Sequence, residues 1–319
     1  MHTIRLFLVF FTLIMISVAS ATELPLAKVS KQPVPEWVKK ITPNLPENIP
    51  VKDVSDGTYY LLADAQNKVT EDDSVAFRHY AELIVNQKGV QQSGQVSVTF
   101  DPIYESVVFH YVNIIRDGII IDKLVSSDIK VINVEPEFDD LIYNGRQSAK
   151  IIIDDVRVND ILEYSYSRKG RNPVYKGLYS YRPYVSWSIP LHQQSVRVLW
   201  GKKTPLYVST SSNELSIDNS VITNRLGQQF TLYEFERIDG EYKGYTSQSP
   251  SWFEPYAQLF FTQSKSWAEI VDWALPMYKA AFDSGDNLAL NQVVLDLKLK
   301  FDSPQEQVAA ALKIVQDDV

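Results

Sequence analysis

The first residues able to do chemistry are acidic pairs: Glu71-Asp72-Asp73, Asp139-Asp140, Asp154-Asp155 and Asp317-Asp318. Hydrolysis of a glycosidic bond needs two carboxyl groups facing each other across the substrate, about 5 to 10 Å apart. Neighbouring side chains on a strand point to opposite faces. These runs therefore read as solvated turn acids flanking strands, and a carboxylate hydrolase would require two opposed acids in a cleft. The histidines His2, His79, His110 and His192 are scattered, without H-E-x-x-H or another metal-ligand spacing. No G-x-S-x-G elbow marks a nucleophilic serine, and no Ser–His pairing is suggested by position. Phosphate-cradling loops and dinucleotide fingerprints are missing as well. The chain has no cysteine, which removes thiolate chemistry and cysteine-ligated zinc or iron–sulfur centres. The expectation is no catalytic residue, no metal and no cofactor within these residues.

Aromatic side chains are the enriched class. Tyr175, Tyr179, Tyr181, Tyr184 and Trp187 crowd one short stretch, and Trp252, Phe253, Tyr256, Phe260 and Phe261 a second. Exposed rings can bind sugars or peptide chains, whereas buried ones fill sheet cores and cover junctions between domains. The first group is the candidate ligand-binding set. The second lies between two differently patterned regions and reads as the seam between them.

The elements that must position these residues are mostly strands. From about Asp73 apolar residues recur at every second position: Val75, Phe77, His79, Ala81, Leu83 and Val85 alternate with Arg78, Tyr80 and Glu82. That is a half-buried strand. Similar runs follow at 96–100, 105–115 and 119–121, with Asp117-Gly118 as a hairpin turn between the last two. Further strands are expected at 128–134, 148–153, 160–167, 184–189, 194–200, 206–209, 220–223 and 229–236. Many short strands with frequent turn signals predict an antiparallel β-sandwich over residues 51–248. The Pro-rich residues 22–50 read as a linker or wrapping arm. After Ser249 the period becomes helical. Ser266-Trp267-Ala268-Glu269 and Ser303-Pro304-Gln305-Glu306 are capping boxes, and a third helix fits 288–299 between them. The last helix lacks a Gly or Asn cap and ends on Asp317-Asp318-Val319, with acids where the macrodipole favours bases. This predicts a helix that continues in a longer natural chain.

The N-terminus carries an address. His2 and Arg5 precede an apolar run from Leu6 to Ile16, and Ala19 and Ala21 stand at −3 and −1 of a cleavage site before Thr22. That order is a signal peptide over residues 1–21. The run is about half the ~20 residues of a membrane span, so no stable membrane anchor is expected. The 319 residues are 45% hydrophobic with net charge −8, enough for a sizeable core. The negative charge argues against nucleic acid as a partner.

Residues 156–166, Val-Arg-Val-Asn-Asp-Ile-Leu-Glu-Tyr-Ser-Tyr, followed by Gly170, Asn172-Pro173 and Gly177, resemble a bacterial domain of unknown function that precedes transglutaminase-like domains in exported proteins. That domain has a Gly-Asp pair where this chain has Asn159-Asp160; Asn also tolerates left-handed turns. The resemblance spans about residues 55–240. The helix opening at Ser266 resembles the entry into the transglutaminase-like core, making 249–319 an incomplete domain of that kind. No position matches that core's Cys, His or Asp. The resemblance implies a non-catalytic N-terminal β module of an exported, papain-type cysteine protein, in the periplasm of a Gram-negative bacterium. It would serve as scaffold or as a surface for a peptide or protein substrate. The alternative is a stand-alone carbohydrate- or peptide-binding sandwich using Tyr175, Tyr179, Tyr181, Tyr184 and Trp187.

Overall fold

The computed structural model describes residues 28–135, 144–240, 242–243, 250, 253–283 and 288–317. The signal peptide with its Ala21/Thr22 junction, Asp139-Asp140, Trp252 and Asp318 lie outside them. The chain is mainly β, 41% strand and 19% helix. Its first elements are β1 (Val29–Lys31), β2 (Thr58–Val69), β3 (Ser74–Ile84), α1 (Gln87–Gln92), β4 (Gln95–Phe100), β5 (Glu105–Arg116) and β6 (Ile119–Asp122). Next come β7 (Lys130–Asn133), β8 (Gln147–Ile152), β9 (Ile161–Gly170), β10 (Ser180–Tyr181) and β11 (Leu191–Trp200). β12 (Tyr207–Thr210), β13 (Asp218–Thr223), β14 (Gln229–Ile238) and β15 (Leu259–Thr262) precede the helices α2 (Trp267–Asp283), α3 (Leu288–Lys300) and α4 (Pro304–Asp317).

Two compact units divide these elements. One takes in the described residues up to Val174, with Val185–Lys202 and Ile217–Tyr256. It holds a large sheet in the order β1-β5-β9-β3-β2-β11-β14-β13, with β6 paired to β5, and a small sheet β4-β8-β7. The small sheet packs on one face of the large one through Val96, Val98, Phe100, Ala149 and Ile151 against Val107, Phe109, Ile114 and Leu162. The opposite face lies under residues after β1, around Trp37 to Ile41. Trp37 meets Phe77 edge-on at 6.5 Å, and Gln66 exchanges hydrogen bonds with both backbone groups of Lys39. The described part of the Pro-rich segment runs along this face at Trp37 and Lys39.

The expected antiparallel sandwich is corrected to a mixed, two-layer arrangement. β1 runs parallel to β5, and β11 runs parallel to β2. Residue periodicity shows which face of a strand is apolar; strand direction depends on the partner, and β2 takes one partner from far along the chain. β2 precedes the alternation that begins near Asp73. It is buried on both faces, with Asp64, Gln66 and Asn67 among its buried residues, so it shows no period of two. The Asp117-Gly118 turn is as expected: φ is +50° and +79°, and Arg116 pairs with Ile119 across a two-residue loop.

The second unit comprises Tyr175–Tyr184, Lys203–Ser216 and the described residues from Ala257 onward. Its sheet runs β10-β15-β12, with Leu259 and Phe261 buried. The three helices fall where capping and periodicity place them. The Ser303 hydroxyl accepts from the Glu306 N–H, as a cap should. At α2 the reciprocal half shifts by one residue: Glu269 accepts from the N–H of Lys265. No helix among the described residues is long and apolar enough to cross a membrane.

Candidate functional site

A cavity of about 220 Å³ opens in the first unit, on the face of the large sheet that also carries the small one. Its walls are strand residues Thr58, Tyr60, Glu82, Leu162 and Tyr164 on one side, and Gln92, Ser93 and Gln95 around the end of α1 on the other; Asp56 and Ile189 complete it. Glu82 is a buried carboxyl with one hydrogen bond, accepted at Oε1 from the Tyr164 hydroxyl at 3.0 Å. Burial pushes its pKa up to about 7, against the lowering effect of that bond. Tyr80 sits between Tyr60 and Tyr164 with ring centroids 6.5 and 5.4 Å away. Burial and the nearby Glu82 carboxylate raise the phenol pKa values of Tyr60 and Tyr164 as well. Ser93 is buried, and its hydroxyl has no hydrogen-bond partner among the described residues.

Local sequence explains this placement. Strand alternation sends Tyr80 and Glu82 to one face of β3 and His79 and Ala81 to the other. A register shift between Tyr60 and Leu62 brings Tyr60 opposite Glu82. On the far wall, the Asn86 side chain caps α1 by accepting from the N–H groups of Lys88 and Gly89. α1 then sits hard against the Gly57 turn. A Cβ on Gly89 would lie 2.0 Å from the Gly57 carbonyl oxygen, and Gly57 itself has φ +77°.

The arm-covered face holds two more polar constellations. His79 Nε2 lies 2.9 Å from Glu163 Oε1, and Gln66 links Asp64 to Arg197, which reaches Glu234. Burial raises the Asp64 pKa, opposed by the Gln66 hydrogen bond and by His79. The second is a Ser–His pair that position in the sequence did not suggest. His110, at the irregularity between Phe109 and Tyr111, donates from Nδ1 to the Gln32 carbonyl at 2.9 Å. Its Nε2 stands 2.7 Å from the Ser167 hydroxyl, so the neutral ring accepts there. Burial lowers the His110 pKa and keeps the ring neutral. Ser167 is 3% exposed, beneath the arm, and does not line the Glu82 cavity. Through His110 the pair ties the Gln32 carbonyl to the sheet. Two residues separated by 57 positions and joined across strands leave no local signal.

Asp73 and the Asp154-Asp155 pair are engaged in ion pairs near strand ends. Asp154 pairs with Lys123 at 2.6 Å, and Asp155 with Arg116 at 3.0 Å and Arg157 at 2.8 Å. Hydrogen bonds from Arg157 and Arg116 hold the Asp155 carboxyl down at about 2. Asp73 meets Lys169 at 3.0 Å. Among the described residues, no group of His, Asp and Glu is placed to hold a metal ion.

The aromatic candidates divide between the units. Tyr175, 49% exposed, stacks on Trp273 at 5.5 Å and 24°. Tyr181 stacks on Phe261 at 6.0 Å, Tyr179 is half-buried, and Tyr184 is exposed and bridges to Gln258. Trp187 belongs to the first unit and packs on Tyr60 at 5.6 Å, behind the cavity wall. Of the second aromatic group, Phe253 and Tyr256 fall in the first unit, and Phe260 and Phe261 lie on β15 in the second.

A family model described as "Domain of Unknown Function with solved-structure structure (DUF3857)" matches residues 71–240, just over half of the chain. The chain belongs to the DUF3857 family. The match holds every cavity residue except Asp56, Thr58 and Tyr60. The DUF3857 stretch that carried the sequence resemblance also gains a structural reason. Asn159 takes φ +72°, the conformation a glycine would adopt freely. Asp160 accepts two hydrogen bonds from Arg116 and one from the Arg157 N–H, each 2.8 Å, tying the strand start to the end of β5. No match was found among curated protein sequences. Among solved structures, the chain is similar to a putative protease from Parabacteroides distasonis, with TM-score 0.67 and 12% identity over 83% of this chain and 51% of that one. This chain therefore spans about half the length of that protein, and the likeness is one of fold. A putative nutrient binding protein from Legionella pneumophila aligns over 81% of this chain and 85% of its own at 9% identity, with a TM-score of 0.27, too low to carry an argument.

Proposed function

We propose that this DUF3857 protein is a non-catalytic binding and scaffold module that holds peptide or protein segments. In this reading it is exported to the periplasm by its N-terminal leader, and it is the N-terminal part of a transglutaminase-like cysteine protein that does the chemistry. The observation that carries the binding role is the Glu82 cavity. It is smaller than the ~300–1,000 Å³ of a pocket for a drug-sized ligand, fits a single side chain, and is lined by hydrogen-bonding groups. Ser93 is the serine that lines it, and its hydroxyl is bonded to no base among the described residues. The fold likeness to about half of a larger protein described as a protease supports the place of the module beside a catalytic domain. The test is to assay the purified chain on a peptide library for cleavage and for binding. Saturable binding that weakens when Glu82 or Ser93 is substituted, without turnover, is expected. Peptidase or amidase turnover by the chain would sink the reading.

The exposed Tyr175, stacked on Trp273, favours a second reading as a sugar- or peptide-binding surface. It expects oligosaccharide binding that Tyr175→Ala abolishes and Glu82→Gln leaves intact.

A further inference from the structure

The Glu82 cavity has a definite chemical character. Glu82 and Asp56 both line it, and no basic side chain does. Lys88, outside the lining, points to Asp56 at 3.4 Å and to the Ser55 carbonyl at 2.9 Å, on an exposed surface. An anion entering the cavity would meet two carboxyl groups, of which Asp56 alone has a cation beside it and Glu82 has none. Leu162 and Ile189 supply apolar wall. The phenol rings of Tyr60, Tyr80 and Tyr164 gather beside the Glu82 carboxyl, and ring faces attract cations.

Two observations point to a ligand rather than to a mere acidic patch. Ser93 is a buried residue of the cavity lining, and its hydroxyl makes no hydrogen bond among the described residues. A buried polar atom left so is costly unless something binds it. Glu82, also buried, uses Oε1 for Tyr164 and has no further hydrogen bond among the described residues.

We infer that the cavity binds the terminal ammonium group of an alkylamine about the length of a lysine side chain. An ammonium brings three donors and no acceptor, which match the free Glu82 oxygen, the Ser93 hydroxyl as acceptor, and Asp56 or a Gln carbonyl at the rim. Its methylene stem lies along Leu162 and Ile189 while the charged head stays with the polar groups. This deepens the binding role proposed above and rests on it, since the amine is taken as the side chain or terminus by which a peptide is held.

Protonation is linked to this binding. A cation in the cavity draws Glu82 to its ionised form. The groups facing it are Asp56 ahead of β2, Tyr60 from β2, Tyr80 on β3 itself, and Tyr164 from β9; α1 contributes the neutral Gln92 and Ser93. The Tyr60 and Tyr164 phenols do not ionise near neutral pH, being shifted upward. An alkylamine stays charged well above pH 8. Affinity should therefore rise from about pH 6 to about pH 8.

The experiment uses the full chain with n-butylammonium, Nα-acetyl-lysine methylamide and its norleucine counterpart, which keeps the stem and lacks the ammonium. Binding is followed by chemical-shift changes of the Gln92 to Gln95 amides. Both amines should bind and norleucine should not. Glu82→Gln should weaken the amines at least tenfold and remove the pH dependence, and the milder surface change Asp56→Asn should weaken them severalfold in a fully folded protein. Binding of free butylammonium alone would show a small amine as the ligand, and the lysine amide alone a peptide side chain; either supports the inference. Equal binding of norleucine, or amine binding indifferent to Glu82→Gln and Asp56→Asn, overturns it. Lysine-free peptides that bind in a Glu82-dependent way would defeat the inference and leave the broader binding role standing. Absence of any binding defeats both.

Discussion

Burial of Glu82 sets a stability cost whose sign depends on pH. Its folded-state pKa of about 7 lies above the ordinary value of 4.5. Below about pH 4.5 both folded and unfolded chains carry the proton, and the neutral carboxyl sits in the cavity wall without penalty. Between about 4.5 and 7 the folded state holds more protons than the unfolded one, so this group's contribution falls as pH rises, and is fully lost above about 7. The difference is of order 3 kcal/mol. Glu82→Gln is neutral at every pH. It should match the natural protein in thermal stability near pH 4.5 and exceed it by several degrees at pH 8. A gap that stays flat across that range would show that Glu82 titrates normally. Asp155, with its depressed pKa, has the opposite dependence: its contribution is present above about pH 4 and is lost as pH falls toward 2, and it cancels in this comparison. The alternation of β3 already separated Glu82 from Ala81 in the sequence. Its burial was not legible there, because the small sheet and α1 that enclose it are brought over by pairing of strands elsewhere.

α1 and the Gly57 turn form one mechanical joint at the scale of elements. Asn86 caps the helix, and the Val85 N–H donates to the Gly57 carbonyl at 2.8 Å. Gly89 lets the helix backbone press onto that same carbonyl. In Gly89→Ala the new methyl, 2.0 Å from a backbone oxygen, has no flexible neighbour to displace, so α1 must move away. Overpacking of this kind costs about 1–3 kcal/mol. Because Gln92 ends α1 and Ser93 follows it, the same change should also weaken whatever the cavity binds. Ala at Gly94, whose Cβ would meet its nearest atom at 3.7 Å, should be mild in both respects. Denaturant midpoints and ligand titrations on the two variants check this; equal effects at both positions would remove the joint. The motif Asn159-Asp160 was readable in the sequence through its resemblance to a family. α1 was not foreseen: six residues give too few turns for a periodic signal.

Closure of the large sheet depends on the whole length of the first unit. β2 is flanked by its hairpin partner β3 on one side and by β11 on the other. The β11 contact is parallel, running from Leu191 opposite Tyr60 to Trp200 opposite Val69. Arg197 of β11 also donates to the buried Gln66 and to Glu234. Without β11, β2 becomes a long edge with buried polar groups bared and its apolar residues open to other chains. Such long-range pairing forms late and slowly. A chain cut after Pro190 keeps β2, β3, β5 and β9, and a sequence-based reading would count its strands as sufficient for a sheet. It should nevertheless lack a cooperative thermal transition by circular dichroism and associate at micromolar concentration, whereas the intact chain melts cooperatively. A sharp melt of the shortened chain would mean that β2 does not need its parallel neighbour. Strand count and turn signals were legible in the sequence because they are local. The β2–β11 partnership was not, since periodicity names the buried face of a strand and leaves open which distant strand will lie beside it.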